Sequence, residues 1–446
     1  MATFANQKIE CFCGPKPLGA PDDLEKVIID FISGANESLL IAVQEIDSMP
    51  IAQAIIDASW KGVRVKMILE QDYLRNKKLP KPETAATVGA NITPAALLKL
   101  QWQDLGDKTP PINRRILTAL LRNGVDAKAD YNSKIFHQKF IVRDYTRTSK
   151  ESPTAAVLTG STNFTHTGTH ENLNNVIVFH DTRACEAYLR EFQEIRSGNF
   201  GRHTSGDDMS VVFNLEGVPV RILFAPEHSP ELEITKHMLK VSETLDFAVF
   251  TFSHSSGIDD TMLTLKEAKK TIRGVLDPMQ GGQWWAATDY LHDKGIAVRF
   301  PDRAKFEPAP FGKLHHKLMV IDQTVVVAGS MNFTKPANIY NDENVVILGS
   351  PYPDLPEAKG GPSDVGACKE IGEYFGKEIK RIWGRSTQSS LLINLCFRDF
   401  QTSSHRHKGT RYFVISPCED SKRTSPIPPA ISAYLRMPLV CHPPTQ

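Results

Sequence analysis

The chain lacks a long apolar run, a surplus of charge and a cysteine framework. No stretch of its 446 residues approaches the roughly 20 consecutive apolar positions a membrane-spanning helix needs. Met1–Pro15 shows no basic patch followed by an apolar core, so no secretory leader is expected. Lys and Arg number 52 against 51 Asp and Glu, a formal net charge of +1. That excludes a global basic field of the nucleic-acid-binding kind and leaves room only for a local basic cleft. The seven cysteines, Cys11, Cys13, Cys185, Cys368, Cys396, Cys418 and Cys441, are odd in number and scattered, which argues against disulfides and fits a reducing compartment. Cys11 and Cys13 lack the two-residue gap of a zinc knuckle, and His405, His407, Cys418, Cys441 and His442 match no zinc spacing. The expectation is a cytoplasmic protein with no metal and no cofactor, whose contact with membrane is at most peripheral.

What is present is a signature that occurs twice. His137-Gln138-Lys139-Phe140-Ile141-Val142-Arg143-Asp144 and His315-His316-Lys317-Leu318-Met319-Val320-Ile321-Asp322 both read H-x-K-x4-D. A small-residue turn follows each, Gly160-Ser161-Thr162-Asn163-Phe164-Thr165 and Gly329-Ser330-Met331-Asn332-Phe333-Thr334. An acidic step into an apolar run comes next, Glu171-Asn172 and Glu343-Asn344.

The flanking sequence repeats as well. Strands at 38–44 and 63–69 alternate with helices at 22–33 and 50–60; strands at 218–224, 245–252 and 271–276 alternate with helices at 231–241 and 259–268. The alternation predicts an α/β fold with a mainly parallel sheet in each half. Helices at 113–122 and 283–293 end at Asn123-Gly124 and Lys294-Gly295, as glycine at a C-cap should. A helix at 366–383 closes the second copy. The halves are residues 1–205, with an insertion at about 72–111, and 206–386. Residues 387–446, rich in Ser, Pro and Arg, read as a tail or small appendage, partly disordered.

Side chains two apart on a strand share a face, so His137 projects with Lys139 and His315 with Lys317. Asp144 and Asp322 complete the candidate catalytic set. Each lies five residues from its lysine, an odd separation that points it to the opposite side, so a structural role is expected of both. A phosphodiester needs a nucleophile, a proton donor for the leaving alkoxide and fixed positive charge for its oxygens. One histidine can attack phosphorus and form a phosphohistidine while the other protonates the leaving group and then activates water. The lysines, with Asn163, Asn332, Ser161 and Ser330, can hold the phosphate. Glu171 and Glu343 can each accept from a histidine ring N–H and fix its tautomer. Each signature supplies one histidine, so both halves must converge on one site, and a monomer suffices.

These residues resemble those of the phospholipase D superfamily, whose members carry two such motifs across a pseudo-twofold axis. The resemblance covers about residues 9–383. It implies two similar α/β/α sandwich halves with the site at their interface, histidines as nucleophile and acid, phosphate binding by Lys139, Lys317, Asn163 and Asn332, histidine orientation by Glu171 and Glu343, and no metal. It leaves open which histidine attacks; His137 is preferred. The leading substrate is a phospholipid headgroup ester, motivated by the near-neutral charge and an apolar approach of Phe306, Pro308, Pro310 and Phe311, with Trp284 and Trp285 as possible helpers. The alternative is an endonuclease, for which Arg143, Arg147, Lys150, Arg75, Lys77, Lys78 and Lys81 are the basic candidates. A non-catalytic phosphate-binding adaptor is third.

Overall fold

The structure, a computed structural model, describes residues 2–73, 112–148, 150, 152–203, 210–352 and 364–388, with the backbone of 400–407 and 410–417. Most of the expected insertion, the expected boundary between residues 205 and 206, and Arg75, Lys77, Lys78, Lys81, Cys396, Cys418, Cys441 and His442 lie outside the described residues.

The first half runs β1 (Ala2–Phe4), β2 (Ile9–Gly14), α1 (Leu24–Ser33), β3 (Ser38–Val43), α2 (Met49–Trp60), β4 (Arg64–Leu69), α3 (Ile112–Arg122), β5 (Asp126–Ala129), β6 (Lys139–Arg143), β7 (Ala156–Gly160), α4 (His166–His170), β8 (Asn174–Phe179) and α5 (Thr182–Ser197). The second runs β9 (Val211–Leu215), β10 (Val218–Ala225), α6 (Pro230–Met238), β11 (Thr244–Val249), α7 (Gly257–Glu267), β12 (Thr271–Leu276), α8 (Pro278–Gly281), α9 (Thr288–Asp293), β13 (Ala297–Pro301), β14 (Lys317–Ile321), β15 (Val325–Gly329), α10 (Lys335–Ile339), β16 (Glu343–Leu348), α11 (Val365–Gly384) and β17 (Ser386–Gln388).

The strand orders are β1-β2-β8-β7-β6-β3-β4-β5 and β17-β13-β12-β11-β14-β15-β16-β10-β9. The expectation of mainly parallel sheets is corrected. Among the described strands β3–β4–β5 and β11–β12–β13 pair in parallel, and the other strand pairings are antiparallel. The helical crossovers of parallel pairing occur only there; the signature strands β6 and β14 turn straight back into β7 and β15 as hairpins.

Five layers result. The outer faces of the sheets pack α1–α3 and α6, α7 and α9 in two separate cores. Their inner faces share one core with α5 and α11 between them. Alternation along β6 shows why: Phe140 and Val142 point into the shared core, Ile141 into the outer one. The described cysteines, Cys11, Cys13, Cys185 and Cys368, are buried and form no disulfide among the described residues. The helix expected over 283–293 is shortened to α9: residues 283–287 form a turn after α8, which Asp277 caps through the N–H groups of Met279 and Gln280, and the Trp285 carbonyl in that turn accepts from the His254 N–H.

Residues 390–446 form a separate unit. Its described part is a hairpin, β18 (Phe400–His407) paired antiparallel with β19 (Thr410–Pro417), where only an appendage or disorder was expected. Among the described residues no helix is long and apolar enough to cross a membrane.

Candidate active site

Both signatures enter the junction between the halves through the same set of clasps. The N–H of His137 donates to the Asp342 carbonyl and that of His315 to the Leu173 carbonyl, each at 2.9 Å. The preceding N–H groups donate to buried carboxylates at the ends of β4 and β12, Phe136 to Glu70 at 2.6 Å and Leu314 to Asp277 at 3.0 Å. Every histidine is thus held by the opposite half and by its own sheet, and both line one cleft of about 550 Å³.

The rings are oriented differently. His137 Nδ1 lies 2.6 Å from Glu343 Oε2. His315 Nδ1 lies 3.0 Å from Asn174 Oδ1 and 3.1 Å from the Ser161 carbonyl. All three partners accept, so both Nδ1 atoms carry the hydrogen and both Nε2 atoms are left for chemistry. Burial lowers the His137 pKa to about 4, with Glu343 opposing and Lys139 assisting. Burial and then the charges of Lys317, Lys139 and His137 push His315 well below its usual value.

The lysines lie beneath the rings, fully buried. Lys139 Nζ donates to its own His137 carbonyl at 2.8 Å and to Gln44 Oε1 at 3.2 Å; Lys317 Nζ donates to the His315 carbonyl at 2.7 Å and faces the Phe250 ring at 4.9 Å. Burial pulls Lys139 down to about 7 against the pull of Glu343, Glu45 and Glu70, and pulls Lys317 well below its usual value with Lys139 assisting. Four like-signed groups crowd one small volume, and an anion placed among them relieves desolvation and repulsion together.

The middle residue of each signature points the other way, into the shared core. Gln138 accepts from Asn344 Nδ2 at 2.8 Å and donates to Glu191 on α5 at 2.9 Å. His316 meets Asn175 Nδ2 at 3.0 Å, and its Nε2 lies 3.5 Å from Glu378 on α11, whose carboxyl also binds Arg381. Consecutive residues of β8 and β16 therefore grip consecutive residues of the opposite signature.

The turn motif explains itself residue by residue. Gly160 and Gly329 take φ +153° and +144°, and a Cβ on either would stand 2.3 Å from the Asn175 or Asn344 carbonyl oxygen. These glycines let the backbone approach β8 and β16 closely. Ser161 and Ser330, expected on the phosphate, are buried behind the rings, their hydroxyls donating to Asn174 Oδ1 at 2.8 Å and Glu343 Oε2 at 2.6 Å. Asn163 and Asn332 do line the cleft. Phe164 and Phe333 are buried anchors, and Thr165 and Thr334 cap α4 and α10.

Further expectations are settled by position. Glu171 does not reach a signature histidine; its carboxyl lies 4.0 Å from His166. The register that carries Asn163 onto Asn332 carries Asn174 onto Glu343, so matching the two Glu-Asn pairs slips by three residues. Asp144 and Asp322, grouped with the catalytic residues although a structural role was expected of both, lie at the far ends of the signature strands, away from the cleft. Asp144 accepts from the N–H groups of Asn36, Glu37 and Ser38, and Asp322 from those of Ser242, Glu243 and Thr244. Phe306 and Phe311 form no rim: they are buried and stacked on each other, centroids 4.8 Å apart. Trp285 lines the cleft, and Trp284 beside it is 90% exposed. Of the basic candidates, Arg143 sits against the Phe31 ring and carbonyl, Arg147 on Gln193 and Lys150 on Glu186, none of them in the cleft. Lys313, Gln44 and Phe250, which line it, were not anticipated.

A family model described as the phospholipase D-like domain of cardiolipin synthase matches residues 28–196 and 234–358, which hold both signatures and both turns. A mitochondrial cardiolipin hydrolase of Chlamydomonas reinhardtii is 33% identical over 110 residues, 25% of this chain and 46% of that protein. A phospholipase D of Rickettsia bellii is 26% identical over 179 residues, 40% of this chain and 67% of that protein. The chain spans about half the length of the cardiolipin hydrolases first matched. The solved phosphatidylserine synthase of Haemophilus influenzae Rd KW20 overlays 87% of this chain and 88% of its own with a TM-score of 0.51 at 14% identity, a likeness of fold. The twin signatures, the shared cleft and the match over both halves make the chain a member of the phospholipase D superfamily.

Proposed function

We propose that the chain is a phosphodiesterase that hydrolyses phospholipid headgroup esters through a phosphohistidine on His137. The observation that carries it is the unequal pairing of two histidines in one cleft, His137 on a carboxylate and His315 on neutral oxygens. An imidazole gains positive charge when it bonds phosphorus, and the Glu343 carboxylate stabilises that charge. His315 has no such partner, so its protonated form gives up a proton readily.

His137 Nε2 attacks phosphorus, the bond to the headgroup oxygen breaks, and the His315 Nε2 proton goes to the leaving alkoxide. Water enters, His315 takes its proton, and the oxygen displaces His137. The products are the headgroup alcohol and a phosphomonoester. Lys139 and Lys317 supply the positive charge that the phosphoryl oxygens need, and a bound phosphate restores their protonation. A lipid substrate is supported by the names of the relatives, by Trp285 and Ile135 in the cleft lining, and by exposed Trp284 and Met279 nearby, tryptophan being a residue of membrane–water interfaces. Contact with the bilayer is peripheral on this reading.

The test is a parallel assay on phosphatidylcholine, cardiolipin, single-stranded DNA and RNA, with and without EDTA. Headgroup release that survives chelation is expected. Nucleolysis without lipid turnover would replace this reading with an endonuclease, and loss of all activity in EDTA would overturn the division of labour between the histidines and lysines.

A further inference from the structure

Beside the cleft lies a second cavity of about 330 Å³, walled by Tyr131, Lys134, Phe200, Arg202, His203 and Tyr340. It adjoins the first, since Ile135 and Asn341, which line the cleft, are the chain neighbours of Lys134 and Tyr340. Arg202 lies along its wall: its guanidinium lies 4.3 Å from the Tyr340 ring centre and its Nε donates to the Ile339 carbonyl at 3.4 Å. Lys134 Nζ approaches the same ring at 5.9 Å. Beneath them Asp342 is fully buried, with one carboxylate oxygen taking Asn132 Nδ2 at 2.6 Å and the other the Gly201 N–H at 2.7 Å. The Asp342 carbonyl is the acceptor of the His137 N–H, so one residue underpins both the groove and the attacking ring.

The lining carries cationic and aromatic side chains and no acid, the chemistry that holds a phosphate. It is also one-sided. The pseudo-twofold that carries His137 onto His315 carries Lys134 onto Gly312, and the one that carries Asn163 onto Asn332 carries Glu171 onto Tyr340. On that side the Gly312 N–H donates to the Glu171 carbonyl at 2.8 Å, and an acid stands where the other side has an aromatic under two cations. A polynucleotide crossing the cleft would present phosphates to both sides; a ligand with one extra phosphate matches the asymmetry. Lys134 is three residues from His137, so the two sites lie within a backbone reach of roughly 10 Å.

We propose that this groove is a second phosphate subsite, which holds the non-reacting phosphodiester of a lipid bearing two of them on a short polyol, as cardiolipin does, while the other lies between His137 and His315. The inference rests on the phosphodiesterase reading of the cleft. It is tested with the full chain on phosphatidylcholine vesicles carrying either cardiolipin or phosphatidylglycerol at equal phosphate. Arg202→Ala and Lys134→Ala are expected to raise KM for cardiolipin about tenfold more than for phosphatidylglycerol, the loss of one charge-assisted contact, with Arg202→Lys recovering part of it. Equal effects on the two lipids, or none, overturn the subsite while leaving the phosphodiesterase intact. A wild-type chain that turns over neither lipid overturns both. Cleavage of single-stranded RNA or DNA that Arg202→Ala weakens would assign the groove to a polynucleotide and overturn the lipid.

Discussion

At the scale of single residues the site is defined by the difference between Glu343 and Asn174, which occupy matching places behind the two rings. A carboxylate behind His137 favours the cationic ring; an amide oxygen behind His315 does not. Glu343→Gln keeps the hydrogen bond and removes the charge, and is expected to lower kcat on the order of 10²-fold with little change in KM. Matched loss of binding instead would make Glu343 a structural residue. The pH dependence of kcat/KM follows from the free protein's groups. His137 attacks only when neutral, so the rate rises with pH through about 4. His315 donates only when protonated and Lys139 serves only when charged, so the rate falls as pH rises, first as His315, held well below its usual value by burial and Lys317, loses its proton and then through about 7 as Lys139 does. A bell with its top on the acid side of about pH 7 is expected; a rate that keeps climbing above pH 8 would remove His315 and Lys139 from these roles. The histidines and lysines were legible in sequence because a strand's period of two dictates which of them project together. The role of Glu171 was misread because Glu-Asn recurs three residues out of register; counting from the two Gly-Ser turns puts Asn174 opposite Glu343.

At the scale of elements, the aspartates that end each signature act on loops. Asp144 gathers three backbone N–H groups at the start of β3 and the Thr154 hydroxyl, the latter at 2.6 Å. Burial pushes its carboxyl up, but these donors outweigh it and hold it below the usual range. Asp144→Ala is expected to cost about 2–4 kcal/mol of stability in denaturant unfolding while turnover per folded molecule is kept. The contribution of a depressed carboxyl is present at neutral pH and disappears as pH falls through the folded value, so mutant and wild type should converge in acid. Lost turnover in fully folded Asp144→Ala would return the residue to the chemistry. The odd separation from Lys139 already pointed it away from the histidine. What sequence did not convey was strand direction, because an apolar run reads alike in parallel and antiparallel pairing. Helix α5 was overlooked although Asp181 caps it, Gly198 ends it in a left-handed turn, and Ala184, Tyr188, Phe192 and Ile195 mark its buried stripe.

At the scale of the whole molecule, the duplication makes one body with one centre. The outer cores belong to single halves, but α5 and α11 share the inner one, and the Gln138–Asn344 and His316–Asn175 bonds cross it directly beneath the site. Neither half holds a complete histidine pair, since each ring takes its partner from the other. That much was foreseen from one histidine per signature, and Glu343 was named as a partner; Asn174 and the Ser161 carbonyl were not, because contacts across a pseudo-axis leave no local spacing to read. The central claim is that both rings serve one phosphorus, with His137 bonded to it. The most direct measurement is mass spectrometry of the wild-type chain quenched in base during reaction with lipid, searching for a phosphoryl adduct on histidine. The adduct is expected on His137. An adduct on His315 in the His137→Asn chain and never on His137, or turnover by wild type with no adduct on either ring, would contradict the account.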